Sequence, residues 1–503
     1  MGYFTRKHTN LLVPLALTGL LLLLTGCAPL LFQNVAPLAT SAEPSAPALA
    51  LMTESPALTP VVLLAPTPEI SASSVAPSSK PLRLISVSSD GAVLSSTPYW
   101  LYSGEPSIST DGRYVAFHTL ANLVVADSNQ QADVYVHDLQ TGATELVSTG
   151  LDDAAGNSAS MSSSISADGR YVGFSSAASD LVPMDFSKCA LADASLCNQI
   201  YMRDRQNHAM ELISVAPDGS PGSGSSYGRP GLSADGRFVA FTSEATNLVK
   251  EAISTCLAGQ TSCRQVYVRD RLTGAMYLIS KSANGEPGNG ESDMPSISAD
   301  GQWITFESYA SNLVEASVEG RQIYIHDLQT GITSLISTKT RSSPSDDVFH
   351  DAMMPALSAD GHWVVFNSLA HSDPTPNSPP PPESPGFLVM ANREGTEFEI
   401  VMDHIGNWPS LSADGRWITF STNVSLVPED TNGVSDVYLY DRQTSTFQWV
   451  SASKIGGQAS GGTYASVSSD GQWVAFDSMS RLLPEDQWGD ADTYVLARNK
   501  ETD

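Results

Sequence analysis

The stretch Ser107-Ile-Ser-Thr-Asp-Gly-Arg-Tyr-Val-Ala-Phe117 decides the fold, because six more versions of it follow along the chain. The Asp-Gly pairs begin at Asp111, Asp168, Asp235, Asp300, Asp360, Asp414 and Asp470, and the Phe five residues beyond the Gly recurs as Phe117, Phe174, Phe241, Phe306, Phe366, Phe420 and Phe476. A repeat of 54 to 67 residues points to a propeller or another array of like units. Within the stretch, Asp-Gly between two strand-like runs predicts a hairpin whose glycine takes a positive φ.

Working outward, each unit carries a second hairpin, such as Asp133-Val-Tyr-Val-His-Asp138 leading through Thr141-Gly142 to Ala143-Thr-Glu-Leu-Val-Ser148. Four strands per unit, here a, b, c and d, are the make-up of a propeller blade. A d-type strand, Arg83-Leu-Ile-Ser-Val87, precedes the first a strand, and the last c-type strand, Thr493-Tyr-Val-Leu-Ala497, has no d strand after it. The balance predicts an all-β, seven-bladed β-propeller over residues 82–503, closed by the N-terminal strand 82–87 pairing in the last blade beside 493–498. Closure of this kind removes open sheet edges.

Before the repeats, Arg6-Lys7 and an apolar run from Leu11 to Leu24 read as a secretory signal, too short for a membrane span. The following Leu24-Thr-Gly-Cys27 resembles the bacterial lipobox. The resemblance implies cleavage before Cys27, lipidation of that residue, and attachment to a membrane at the cell envelope, in the outer membrane and periplasm or at the cell surface. Residues 28–81 are rich in Pro, Ala and Ser with almost no charge, the composition of a disordered tether.

The remaining cysteines form two close pairs inside b–c loops of neighbouring units. Disulfides Cys189–Cys197 and Cys256–Cys263 are therefore expected, with a four-cysteine metal site as the rival reading. The formal charge of −28 would become −30 if Arg6 and Lys7 left with the signal. Such a surface suits neither nucleic acid nor anionic headgroups. A monomer is expected, with an envelope protein or a glycan as partner.

The a–b and c–d turns are short and uniform, whereas the d–a and b–c connections differ in every unit. The latter face is the expected working face. Three b–c loops carry oxygen side chains at calcium-like spacings: Asp127, Asn129 and Asp133; Asp430, Asn432 and Asp436; Asp486, Asp490 and Asp492. The same residues suit Asx-turns leading into strand c. Unit 5 has a Pro-rich insertion at 373–385, read as a stiff projection.

The serines at 109, 166, 233, 298, 358, 412 and 468 are expected along the central channel. The residue entering each a strand is free to differ: Glu105, Ser162, Arg229, Met294, Met354, Trp408 and Tyr464. Glu105, Arg229, Trp408 and Tyr464 are the ligand-binding candidates, with rim packing as the alternative role. His137 and His326 share a repeat position with Arg203, Arg269 and Tyr440 and are expected to be exposed. The sequence contains no recognisable nucleophile elbow, His-Glu-x-x-His or nucleotide loop.

Ser-x-Asp-Gly-Arg-(aromatic)-Val-Ala-Phe followed by Asp-Val-Tyr-Val-x-Asp-Leu-x-Thr-Gly resembles the TolB-type propeller repeat, a relative of WD-type repeats. The resemblance covers roughly residues 82–500. It implies a propeller that binds proteins or small ligands without chemistry of its own. A tether stands here where that family has an α/β domain, and seven blades where it has six. Two functions follow as expectations: a non-catalytic binding or scaffolding module, or a carbohydrate-active lyase or glycosidase working at the channel mouth.

Overall fold

Each a–b hairpin is built by one small network. In blade 1 the Ser109 hydroxyl donates to Asp111 Oδ1 at 2.6 Å and accepts from the Tyr114 amide at 2.9 Å, while Asp111 Oδ1 accepts from the Arg113 amide at 3.0 Å. Gly112 sits at φ 72°, where a side chain would be strained. The same three bonds recur in all seven repeats, down to Ser468, Asp470 and Trp473. The serines at this position therefore fold into the turn, and they do not line the channel as the sequence reading expected.

The computed structural model describes residues 82–88, 91, 103–187, 189, 197–251, 253, 263–315, 320–337, 349–370, 386–453, 461–486 and 491–498. All of them fall within one compact unit, Ser73–Asp503. The signal peptide, Cys27, the tether at 28–81, Cys256, Asp490 and the Pro-rich insertion at 373–385 lie outside the described residues.

The described strands form seven four-stranded antiparallel sheets, six of them in simple a-b-c-d order. The seventh takes its a, b and c strands from Gly462–Val467, Trp473–Ser478 and Asp492–Ala497, and its d strand from Leu82–Leu84. Leu82, Arg83 and Leu84 pair with Leu496, Val495 and Tyr494, and the Ile85 amide adds a bond to the Thr493 carbonyl at 2.9 Å. The fold is thus an all-β seven-bladed propeller closed by its N-terminal strand. The closing strand is shorter than the expected 82–87.

Apolar residues of neighbouring blades meet in seven clusters, so the b and c strands are buried on both faces. Ala116, Val134 and Val136 of blade 1 pack on Val172, Phe174 and Tyr201 of blade 2. At the closure, Ile85, Ala475 and Val495 of blade 7 pack on Val115, Phe117 and Tyr135 of blade 1. The repeat Phe stacks on the strand c Tyr of its own blade, with centroids 5.7 to 6.4 Å apart in six blades. Blade 5 has Val389 in place of that Tyr.

A second device locks blade to blade at the turn end. A Cβ on Gly112, Gly169, Gly236, Gly301, Gly361, Gly415 or Gly471 would overlap the aromatic ring that opens strand b of the preceding blade, beginning with Gly112 on Trp473 and ending with Gly471 on Trp417. Guanidinium groups cover the same rings. Arg205 and Arg271 of blades 2 and 3 lie 4.6 and 4.5 Å from the rings of Tyr114 and Tyr171 and also pair with Glu145 and Glu211.

Candidate functional site

At the end of the axis where the a strands begin, all seven entry residues line one cavity of about 400 Å³. They arrive there by a shared distortion. Each a–b ladder shifts register between the residue pairs that flank this position, for example between Gly104 and Ser107 and between Asn407 and Ser410. Glu105, Ser162, Met294, Met354 and Trp408 hold φ between 51° and 56°. In blade 3 the positive φ falls on Gly228, next to Arg229. A β-bulge re-aims a side chain and bends its strand, and here seven bulges turn seven side chains of six kinds onto the axis. Pro follows the bulged residue in five blades, as Pro106, Pro230, Pro295, Pro355 and Pro409, which fits the confinement of Pro to bulges and edges.

The ring is chemically divided. Blades 1 to 3 contribute Glu105, Ser162 and Arg229; blades 4 to 7 contribute Met294, Met354, Trp408 and Tyr464. Trp408 and Tyr464 stand with ring centroids 4.7 Å apart, tilted by 38°. Arg229 Nη2 crosses from blade 3 to donate to the Pro106 carbonyl of blade 1 at 3.2 Å. Burial pushes its guanidinium below the ordinary value, against the opposing charge of Glu105. Glu105 Oε2 is buried with no hydrogen-bond partner among the described residues.

Below the ring lies a supporting layer that the sequence reading missed: the residue after each repeat Phe. Asp477 Oδ1 accepts from the Tyr464 amide at 2.6 Å, and Glu307 Oε2 from the Met354 amide at 2.8 Å. Asn367 exchanges two bonds with Gly406, at 2.9 and 3.0 Å. Thr242 donates to Asp293 Oδ1 at 2.9 Å, and that oxygen also accepts from the Met294 amide at 2.8 Å. Burial raises Asp477 to about 6 despite the Tyr464 amide, and it raises Glu307 as well. His118, at the same position in blade 1, is buried and lowered by that burial, which keeps it neutral near pH 7. The signal was available: a polar residue of changing identity directly after an invariant buried Phe.

The residue two before each turn serine also lines the cavity, and where it is Ser107 or Ser296 it ties adjacent a strands together. Ser107 Oγ accepts from the Ile165 amide at 3.2 Å, and Ser296 Oγ from the Leu357 amide at 3.1 Å.

The described Asp and Asn side chains of the three b–c loops are engaged with neighbouring side chains and with the backbone. Asn129 Nδ2 donates to Asp133 Oδ2 and to the Gly156 carbonyl, both at 2.7 Å, and Asp133 Oδ1 accepts from Ser148 at 2.6 Å. Asp127 accepts from the Tyr135 hydroxyl. Blade 6 repeats the arrangement with Asn432, Asp436, Ser451, Asp430 and Tyr438. In blade 7, Asp486 accepts from Tyr494 at 2.6 Å and Asp492 from Ser86 at 2.5 Å. Burial raises Asp133 to about 7 and also raises Asp127 and Asp436. Among the described residues no three His, Cys, Asp or Glu side chains are grouped to hold a metal ion. In blades 1 and 6 the Asx bonds are present: Asp127 and Asn129 accept from the Asn129 and Gln131 amides, and Asp430 and Asn432 from the Asn432 and Val434 amides.

Blades 2, 3 and 4 solve the same problem with one residue. Gln199 and Gln265 accept from Ser214 and Ser280 at 2.6 Å and send their amide protons to loop carbonyls, Gly222 and Gly224 in one case and Gly288 and Gly290 in the other. Gln322 accepts from Ser337 in the same way. Cys189 and Cys197 are bonded to each other within the b–c loop of blade 2. Cys263 is also disulfide-bonded.

His137 and His326 are buried, contrary to the expected exposure. Each places Nδ1 on a strand d threonine, Thr144 at 3.0 Å and Thr333 at 2.9 Å, and burial lowers both to about 4. The preceding blade covers that position.

No family model matches this chain, and no curated protein matches it. Solved propellers resemble it distantly. An oligogalacturonate lyase in complex with manganese is 12% identical, with a TM-score of 0.49 over 80% of this chain and 91% of the other. The oligogalacturonate lyase of Vibrio parahaemolyticus gives the same identity and score over 80% and 93%. TolB of Acinetobacter baumannii is 13% identical, with a TM-score of 0.36 over 69% and 62%. These likenesses concern the fold alone.

Proposed function

We propose that this chain is an exported, membrane-tethered propeller that binds a ligand at the mouth of its axis and serves as a binding or scaffolding module at the cell envelope, without chemistry of its own. The observation that carries the reading is the convergence of seven side chains of six kinds on one cavity, held there by a frame that repeats seven times. Left-handed backbone at non-glycine residues costs about 1–2 kcal/mol each, and strain of this kind collects at ligand sites. The cavity's mixed polar and aromatic lining is that of a small-molecule or side-chain pocket. Leu24-Thr-Gly-Cys27 supports the tether, and the acidic surface supports a partner other than nucleic acid.

The test is a binding screen of envelope glycans, peptides and small metabolites by thermal shift on the wild type and on Trp408→Ala and Arg229→Met. The expected result is a ligand that raises the wild-type melting temperature and loses its effect in both variants. A ligand or partner protein that binds both variants as tightly as the wild type would place the working surface elsewhere. Turnover of a glycan that disappears in Glu105→Gln would replace the reading with the carbohydrate-active one.

A further inference from the structure

Resting on that reading of the mouth, we infer that the cavity takes a zwitterion with an apolar or aromatic body, of which a free aromatic α-amino acid is the simplest example. Four observations carry the inference. First, the cavity lining carries Glu105 and Arg229, which form no ion pair with each other among the described residues. Second, the two groups are close, since the Arg229 guanidinium reaches the carbonyl of Pro106, the residue after Glu105. Third, Glu105 Oε2 receives no hydrogen bond among the described residues, and the other acid on the lining, Asp293, is already engaged by Arg264 at 2.5 Å. Fourth, the opposite side of the ring is Met294, Met354 and the tilted Trp408–Tyr464 pair, a wall for a flat apolar group.

Charged groups left without partners in a confined space carry a desolvation cost that a complementary ligand relieves. The guanidinium has donors to spare and matches a carboxylate, while the Glu105 carboxylate accepts from an ammonium. A ligand with those two groups on one carbon satisfies both and leaves its side chain to the aromatic wall.

The experiment is calorimetric titration of the full-length chain in detergent with L-phenylalanine, L-phenylalanine amide and N-acetyl-L-phenylalanine. The parent amino acid should bind, and loss of either charge should weaken binding about ten-fold or more. Glu105→Gln should erase the penalty on the N-acetyl compound while keeping that on the amide. Arg229→Met should do the reverse, with Arg229→Lys keeping the preference for a carboxylate if Met at 229 impairs folding. Equal affinity for all three compounds would overturn the zwitterion while leaving the mouth as a binding site. Failure of all three to bind, alongside a different ligand lost in Trp408→Ala, would overturn the ligand class and leave the mouth reading intact. Binding of all three that survives Trp408→Ala would count against both.

Discussion

Burial and pairing shift acids in opposite directions at the two ends of the ring. At the turn end the acids are paired with guanidinium: Arg170 holds Asp204 at about 2, and Arg237 holds Asp270 well below the carboxylate range. At the mouth end Asp133 and Asp477 are buried against neutral donors, and burial lifts them to about 7 and about 6. The turn end is also the repeating end, where one Ser-Asp-Gly-aromatic unit is used seven times. The mouth end carries the residues that change from blade to blade. The difference teaches that repetition marks where this chain stabilises its ring, and that departure from repetition marks where electrostatic and conformational strain are tolerated.

The sharpest way to break that comparison is at glycine. Gly471 combines φ 69° with a seat on the face of Trp417, whereas Gly142, in the c–d turn, has φ 76° and open space around it. Gly471→Ala therefore meets both backbone strain and a steric overlap, for a loss of about 3 kcal/mol or more, while Gly142→Ala meets the strain alone, about 1–2 kcal/mol. Thermal unfolding of the two variants measures the difference. Equal losses would show that the ring contact at the turn end adds nothing to closure.

The fold was legible because its signals are local and repeated. Asp-Gly followed by an apolar run requires a hairpin, and the lone d strand at 82–84 had to find the blade that lacked one. The position of the mouth was legible too, since Glu105, Ser162, Arg229, Met294, Met354, Trp408 and Tyr464 vary at a fixed place. The left-handed backbone there was not, because Met, Trp and Glu carry no mark of positive φ. Pro at the next position in five blades is the nearest thing to one. Side chains facing the neighbouring blade were misjudged for the same reason: His137 alternates as an exposed strand residue does, and only the preceding blade buries it.

The opposite titrations give a second prediction. Asp133 ionises at about 7 in the folded chain and near 4 unfolded. Its contribution to stability is therefore complete below about pH 4 and is lost as the pH rises to about 7, by about 1.4 kcal/mol per unit of difference. Asp204 has the reverse sign: its contribution is present above about pH 4 and is lost as the pH falls through about 2. Replacing the Asn129–Asp133 pair by the blade 2 solution, Asn129→Gly with Asp133→Gln, should leave stability at pH 4 little changed and raise it at pH 8. The fall between those pH values should shrink without vanishing, since Asp477 titrates in the same direction. Urea unfolding at the two pH values checks this, and an unchanged slope would remove Asp133 as its source.

The smallest effect sharpens the comparison most, because it sets stability against binding at a single atom. Met354 lies at φ 56° on the cavity wall, its amide fixed by Glu307. Alanine there keeps a Cβ in the left-handed region, whereas glycine removes the penalty and gives back part of the gain as unfolded-chain entropy. Met354→Gly should therefore exceed Met354→Ala in stability by up to about 1 kcal/mol, the reverse of the usual order in a strand. Both variants should bind ligand less well than the wild type. Chemical unfolding decides the order. If alanine proves the more stable, the bulge relaxes in solution, and the mouth is not held in a strained shape for its ligand.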